Sequence, residues 1–299
     1  MYGQTIKSSF EIKEAMPMEK QEEVDLFVEE AEPPQFILDD IEKGYYDQIT
    51  EQKMWFYIKD SFLFYIEEGR YIRISNMGNN PNYILRNCYL TGLAMAVALT
   101  QKKFVPLHGS VLEKSGSALV LTGMSGSGKS STTLELMKRG YRFMSDDLAV
   151  VEPDDMLVFP GFPMQRLCRD AVSREGLDFN ELIYLGERKD KFGCLLEPTK
   201  YLDQPRKIKA VILLKVGNQL QVEKVKGIRK VELLVQNTFC GVIYEKAGIS
   251  KEMLKKYFKL AGEIEVFEVT RPQSGDTLNQ VVVEVEKIML QSCKNLTKI

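Results

Sequence analysis

The chain has 299 residues, 44% of them hydrophobic and 27% charged, which is ordinary for a globular protein of one large or two smaller domains. Its formal net charge of −2 leaves no global basic field to gather nucleic acid or an anionic membrane. No apolar run approaches a membrane span, residues 1–7 lack a signal-peptide core, and the five scattered cysteines (Cys88, Cys168, Cys194, Cys240, Cys293) include no C-x-x-C pair, so a reducing cytoplasm is expected and a zinc or disulfide framework is not.

Met1 to about Glu30 is charged and weakly patterned, with Glu19-Lys-Gln-Glu-Glu23 in its middle. It reads as an edge strand or a loose arm, and Glu29 to Pro34 as a connector. Trp55–Ile58, Phe62–Ile66 and Tyr71–Ser75 are short aromatic and β-branched runs punctuated by Asp60-Ser61 and Glu67-Glu-Gly69. That pattern predicts an antiparallel meander, which is either plain scaffold or a peptide-docking surface. Asn76 to Pro81 has strong turn chemistry, and Tyr83 to Thr100 reads as a helix with Leu85, Leu90, Leu93, Ala94, Val97 and Ala98 on its apolar face.

The second half opens near Phe104-Val-Pro-Leu-His108-Gly109. Ala118–Thr122 reads as a buried strand and Ser131–Arg139 as a helix, with Leu134 and Met137 on one face and Gly140 as its stop. Tyr141–Val151 reads as a strand carrying two adjacent carboxylates. Phe159–Pro163 is a rigid turn leading to Arg166, and Leu177–Lys191 is mixed and charged. Ala210–Leu214 and Ile264–Val269 read as strands, and Val231–Val242, Lys251–Ala261 and Thr277–Leu290 as helices. No internal repeat is present. The element order is α/β with extra antiparallel pieces.

Between the strand at 118–122 and the following helix lies Gly123-Met-Ser-Gly-Ser-Gly-Lys129-Ser130, which fits the pattern G-x-x-x-x-G-K-[ST] without a mismatch. Strand, glycine-rich turn and helix is the arrangement this chemistry needs. Glycines let backbone N–H groups approach a polyphosphate, and the helix N-terminus adds partial positive charge. Gly123, Ser125, Gly126, Ser127, Gly128, Lys129, Ser130 and Ser131 are therefore the expected phosphate site. Lys129 would reach the β- and γ-phosphates of ATP or another nucleoside triphosphate, and the Ser130 hydroxyl would hold Mg²⁺.

His108, the single histidine, precedes the strand that feeds this loop. A lone histidine is most often structural, but a neighbouring strand edge can lie beside bound phosphates. Asp146 and Asp147 interrupt an apolar run, where bare carboxylates are costly unless a cation or hydrogen bonds compensate. Successive strand residues point to opposite faces, so the two aspartates are expected to do different jobs. One can accept a proton from an attacking hydroxyl or hold Mg²⁺; the other can fix a loop or the metal's water shell. Phosphoryl transfer also needs charge neutralisation, for which Arg166 is the leading candidate and Arg169, Arg188, Lys189, Lys191 and Arg271 are rivals.

Leu107-His108-Gly109, the phosphate loop, Leu136-Met-Lys-Arg-Gly-Tyr141 and Ser145-Asp146-Asp147 resemble the catalytic core of bacterial HPr kinase/phosphorylase. The resemblance implies an α/β, phosphate-loop domain of the HPr kinase/phosphoenolpyruvate-carboxykinase-like type over 104–299, here behind a small N-terminal β-rich α+β segment with its connecting helix over 1–103. It implies Asp146 as general acid/base, with His108 beside it, and a homo-oligomer, because HPr kinases assemble as hexamers. Asp147 is then expected, with Ser130, at the metal. Two features depart from that family. Ser131 stands where HPr kinases carry an acidic residue, and no Glu-Val-Arg-Gly-Leu-Gly signature occurs. Phe159-Pro-Gly-Phe-Pro-Met-Gln-Arg-Leu167 and Glu268-Val-Thr-Arg-Pro272 instead look like the HPr-kinase-like serine kinases of lasso-peptide biosynthesis, which phosphorylate the C-terminal serine of a precursor peptide. The expectation is a cytoplasmic ATP- and Mg²⁺-dependent serine kinase acting on a precursor peptide, gripped partly by the aromatic strands and the basic run at 188–191. HPr itself, a free small molecule, or a regulatory nucleotide-binding role without phosphotransfer are the rival readings.

Overall fold

The computed structural model describes residues 1–15, 23–186, 190–239 and 241–294. Residues 19–22 of the acidic run, Arg188 and Lys189 of the basic run, and Cys240 lie outside the described residues.

The first part contains β1 (Ile6–Ser8), β2 (Leu26–Glu30), α1 (Gln35–Glu42), β3 (Asp47–Ile49), β4 (Lys53–Ile58), β5 (Phe62–Glu67) and β6 (Tyr71–Asn76). These strands make one sheet in the order β1-β2-β6-β5-β4-β3. β3 to β6 are consecutive antiparallel neighbours, as the aromatic runs imply, whereas β1 joins β2 and β2 joins β6 in parallel. The edge strand is there as β1, but the residues before it are not loose. Tyr2 is 1% exposed, and its N–H donates to the Pro160 carbonyl over 2.8 Å.

The meander's aromatic residues are core, not a docking surface. Met54, Phe56, Phe64 and Ile66 pack inward, and Phe56 stacks on Phe64 with centroids 4.8 Å apart. Trp55, Leu63 and Tyr65 point the other way and are covered by Ile37 of α1. A sheet buried on both faces needs apolar residues at successive positions, which is why these strands read as near-continuous hydrophobic runs.

The helix expected over 83–100 is continuous but not uniform. α2 (Tyr83–Tyr89) passes through a π-helical turn (Leu90–Ala94) into α3 (Met95–Gln101). Asn82 caps its start, its Oδ1 accepting from Leu85 N–H over 3.0 Å.

The remainder comprises β7 (Val105–Lys114), β8 (Ser117–Gly123), α4 (Lys129–Lys138), β9 (Arg142–Ser145), β10 (Leu148–Glu152), β11 (Leu157–Phe159), β12 (Met164–Cys168) and α5 (Arg169–Glu175). It continues through β13 (Ile183–Gly186), β14 (Lys191–Leu195), β15 (Arg206–Gly217), β16 (Gln221–Lys224), α6 (Ile228–Gln236), α7 (Val242–Ala247), α8 (Lys251–Glu263), β17 (Glu265–Pro272) and α9 (Leu278–Lys294). The central sheet runs β11-β10-β7-β8-β15-β17-β16, with β9 also on β7. β8, β15 and β17 are mutually parallel, and the other pairings are antiparallel. β12, β14 and β13 form a separate small sheet. Helices cover both faces of the central sheet. Leu233, Leu234, Tyr257 and Leu260 of α6 and α8 pack on Val120, Val211 and Val266. Leu136 of α4 and Val282, Val285 and Ile288 of α9 pack on Leu119, Leu121 and Ile212. The α/β class is therefore observed, and one apolar cluster joins Phe64 and Leu90 to Leu148, Val150 and Phe162 across the expected boundary at 103/104.

Three local expectations change. The strand at 141–151 is broken at Asp146-Asp147 into β9 and β10, both on β7. The helix at 231–242 ends at Gln236 and resumes at Val242. α4 buries Thr132, Thr133 and Leu136, with Leu134 and Met137 only partly covered.

Phe64 is wholly buried. Phe64→Ala should therefore cost about 3–5 kcal/mol of stability, read from the urea midpoint. A loss within about 0.5 kcal/mol would return the meander to the status of an exposed surface.

Candidate active site: a phosphate loop facing an aspartate pair

The loop is shaped by its glycines. Gly123 has φ +142°, and a Cβ there would collide with the Leu214 carbonyl of β15. Gly126 and Gly128 also have positive φ, +83° and +105°, values that cost side-chain-bearing residues dearly. Lys129 opens α4 directly after Gly128, and its ammonium folds back onto the Gly123 carbonyl and toward that of Met124, 3.4 Å away.

The outer side of the loop is held by Arg271, at the carboxyl end of β17. Its Nε donates to Ser127 O over 3.0 Å and its Nη2 to Gly126 O over 2.8 Å. A trans peptide points its N–H opposite to its C=O, so pinning these carbonyls turns the N–H groups of Ser127 and Gly128 the other way. Arg271 was one of the rivals to Arg166, and here it serves the loop. Its role follows from β17 running parallel to β15, and β15 to the loop strand β8, a pairing that the residue order does not show.

β7 lies between the loop strand and the aspartates. Gly109 pairs with Thr122 on one side, and His108 with Leu148 on the other. His108 N–H donates to the Asn237 carbonyl over 2.7 Å, and its Nδ1 lies 3.1 Å from the Asp147 carbonyl, so in the neutral ring Nδ1 carries the proton. The Thr122 hydroxyl contacts the His108 carbonyl at 2.6 Å and Asn237 Oδ1 at 3.0 Å. The break between α6 and α7 is what delivers Asn237. It also brings Phe239, whose ring lies 5.7 Å from the imidazole. A cavity of about 350 Å³ opens between His108, Gly123, Met124 and residues 236–239.

The aspartates do not split between two faces as alternation predicts. Asp147 has φ +62°, a left-handed conformation that interrupts the pleat and lets both carboxylates meet β12. Asp146 Oδ1 accepts from the Ser110 hydroxyl (2.7 Å) and from Asp147 N–H (3.0 Å). Asp146 Oδ2 accepts from the backbone N–H of Arg166 at 2.8 Å. Asp147 Oδ2 accepts from Arg166 Nη1 at 2.8 Å, and Lys191 Nζ stands 3.6 Å from Oδ1. The second arm of the guanidinium, Nη2, donates to Thr91 Oγ1 in the π-helical turn over 2.9 Å.

These contacts decide the charges. Burial pushes the Asp147 carboxyl up, but Arg166, then Lys191 and His108, hold it well below the usual carboxylate range. Burial works against the charge on Arg166, and Asp147 outweighs it, so the guanidinium stays protonated. His108 is lowered below its ordinary 6.5, chiefly by burial, with Lys129 and Lys191 adding to the effect and Asp147 opposing it.

The site therefore brings together His108, Lys129, Asp146, Asp147 and Arg166, but with altered duties. The Arg166 guanidinium is committed to Asp147 and Thr91 and is not poised over the loop. Asp147, expected at the metal, already faces two cations and fits a metal poorly. Among the described residues no group of three or more His, Cys, Asp or Glu side chains could hold a metal ion. Ser130, partly exposed in the first turn of α4, fits a cation carried by nucleotide phosphates. Ser131 accepts from Arg174 Nη1 over 3.0 Å. Arg169 pairs with Asp190 instead. Thr91 and Asn237 gave no signal in the sequence, because both sit inside runs that read as plain helix.

Residues 99–167 match the HPr Serine kinase C-terminal domain family, so the part of the chain that carries both motifs is HPr kinase-like. The HPr kinase/phosphorylase of Clostridium botulinum is 47% identical over 49 residues, 16% of each chain. Those of Listeria welshimeri and Bacillus cereus are 40% identical over 57 residues and 46% over 54. These matches span 18% of each of those two relatives and 19% and 17% of this chain. The solved Hpr(Ser) kinase/phosphatase from Coxiella burnetii aligns over 64% of this chain and 94% of its own, at 12% identity and a TM-score of 0.32.

Gly123→Ala should abolish nucleotide binding, read by equilibrium titration with ATP, since both the backbone angle and the Leu214 carbonyl oppose a methyl group. The single imidazole should titrate below pH 6.5 by NMR. As pH falls below 6.5 the unfolded chain then binds a proton before the folded one does, so stability drops with acidification in that window. Asp147 adds a second loss as pH falls below its ordinary 3.8 toward its lower folded value. Urea midpoints between pH 7 and pH 3 should follow that order, and a midpoint that rises with acid would contradict both shifts.

Proposed function

We propose that the chain is a serine kinase that transfers the γ-phosphoryl group of ATP to a serine hydroxyl of a peptide. The observation that carries this reading is the placement of a phosphate loop and a hydrogen-bonded carboxylate pair on either side of one strand, β7. Asp146 is the base. Among the described residues its Oδ2 accepts one bond, from Arg166 N–H, which leaves a lone pair for an acceptor hydroxyl. Two neighbouring carboxylates would ordinarily repel. Arg166 and Lys191 neutralise Asp147, so it stays ionised beside Asp146. His108 is neutral at pH 7, and through Nδ1–H it holds the carbonyl of Asp147 in place.

The acceptor O–H gives its proton to Asp146 as its oxygen bonds to the γ-phosphorus. The bridging P–O bond breaks, and its electron pair leaves on ADP. Lys129 and the loop N–H groups take up the phosphate charge. A divalent cation bound with the nucleotide at Ser130 would supply the remaining neutralisation. Arg166 is a positioning residue in this scheme, because its backbone and side chain each hold one aspartate.

The acceptor in our reading is the C-terminal serine of a ribosomally made precursor peptide, on the resemblance of residues 159–167 and 268–272. The second reading, HPr as acceptor with a reverse phosphorylase reaction, is favoured by the names of the sequence relatives. A cytoplasmic site and self-association belong to the same proposal.

Intact-mass spectrometry of each acceptor after incubation with the protein, ATP and Mg²⁺ tests it. A gain of about 80 Da on the precursor peptide alone supports the first reading, and a gain on HPr reversed by phosphate supports the second. Asp146→Asn should lower kcat by about 10²- to 10⁴-fold with ATP affinity changed less than about threefold. Loss of ATP affinity with kcat retained would remove Asp146 from the chemistry.

A further inference from the structure

The cavity of about 350 Å³ beside the phosphate loop differs in chemistry from the loop itself. Met124 follows the first loop glycine and is 84% exposed, an apolar side chain in a segment otherwise made of glycine, serine and lysine. Phe239 adds a half-buried ring to the wall, set between the imidazole of His108 and Gly92 of the π-helical turn. The polar side chains that share the wall are already engaged. Asn237 Nδ2 donates to the Leu233 carbonyl over 2.8 Å and its Oδ1 accepts from the Thr122 hydroxyl, while the Thr238 hydroxyl donates to the Leu234 carbonyl over 3.2 Å. Gln236, exposed at the end of α6, makes no side-chain hydrogen bond among the described residues. Such walls suit an apolar side chain, with one free amide at the rim for a peptide group.

The position of the cavity says whose side chain it is. β7 lies on one side of the loop strand β8, and β15 and then β17 lie on the other. Asp146 is tied to β7 through Ser110, and the Gly123–Met124 end of the loop shares the cavity with His108 of the same strand. The Gly126–Ser127 end is pinned by Arg271 of β17. β7 and β17 are three strand intervals apart, roughly 14 Å. With the γ-phosphorus beside Asp146, the rest of the triphosphate runs along the loop toward Arg271, and the nucleoside leaves on that side. The cavity at the β7 end is then open to the acceptor.

We propose that this cavity selects the acceptor, by holding an apolar side chain of the residue that precedes the phosphorylated serine. That side chain packs between Met124 and Phe239, and Gln236 pairs with the neighbouring peptide group. Met124 and Phe239 are thus specificity-determining residues, for a peptide ending in a large apolar residue and serine. The identity of the occupant rests on the kinase reading above, so its test is made by binding, without transfer.

Protein carrying ¹³C in its methionine methyl groups is saturated with a nonhydrolysable ATP analogue and Mg²⁺, and the Met124 signal is assigned with Met124→Ala. Acetyl-Gly-Gly-Leu-Ser, acetyl-Gly-Gly-Ala-Ser and acetyl-Gly-Gly-Asp-Ser are titrated in turn. The leucine peptide should shift the Met124 signal saturably and bind at least about 10-fold tighter than the alanine peptide, with the aspartate peptide weakest. Phe239→Ala should cut the leucine preference to about twofold while the Kd of the analogue changes less than about twofold. Phe239 also packs on the N-terminal core, so Met124→Lys, which keeps the ring, is the second variant; it should place the aspartate peptide ahead of the leucine one. No saturable binding of the leucine peptide, equal affinities for the three, or a leucine preference that survives both variants overturns the proposal. Competition between peptide and analogue also overturns it, by giving the cavity to the nucleoside. A leucine preference in binding, with no phosphate gained by that peptide under ATP, supports the cavity and counts against the kinase reading instead.

Discussion

The arrangement of the site depends on Arg166. Three segments distant in sequence end on this one residue: the π-helical turn through Thr91, the break between β9 and β10 through both aspartates, and β12, which carries it. The guanidinium is largely buried, so its bond to Asp147 is made where water competes weakly. Removing one partner of such a pair leaves an uncompensated buried charge, typically a loss of about 3–5 kcal/mol, which is why the three segments hold one mutual geometry. The π-helical turn belongs to the same constraint. An extra residue in the turn changes the phase of the helix and places Thr91 within reach of Nη2.

The phosphate loop is built on a different principle. Its backbone angles demand glycine at 123, 126 and 128, and its orientation is set from outside by Arg271. Two arginines thus frame the two halves of the site. One acts on side-chain carboxylates and the other on main-chain carbonyls. A planar fork of donors suits both tasks, which a lysine could meet only one bond at a time.

The N-terminal sheet contributes rigidity to the site through the same packing. Its aromatic strands are covered on both faces, and its helical run supplies Thr91. Tyr2 is buried against Phe162, in the turn that leads to Arg166, and lies within the field of the aspartates. An element whose composition suggests plain scaffold therefore reaches the chemistry at two points.

Much of this was legible in the residues. Gly123 to Ser130 specify their own conformation, because glycines at fixed spacing between an apolar strand and a helix admit few alternatives. His108, Asp146 and Asp147 are conspicuous as polar groups in apolar runs, and the meander and most helices follow from periodicity and capping. What the sequence could not supply were relations between distant groups. The left-handed angle at Asp147, the pairing of Arg166 with Asp147 and Thr91, the delivery of Asn237 to His108 by a break in a helix, and the choice of Arg271 for the loop all depend on which strands become neighbours. Local propensity decides how each segment bends. Only the closed core decides which charges must meet once water is excluded, and that is where the working geometry of this protein was determined.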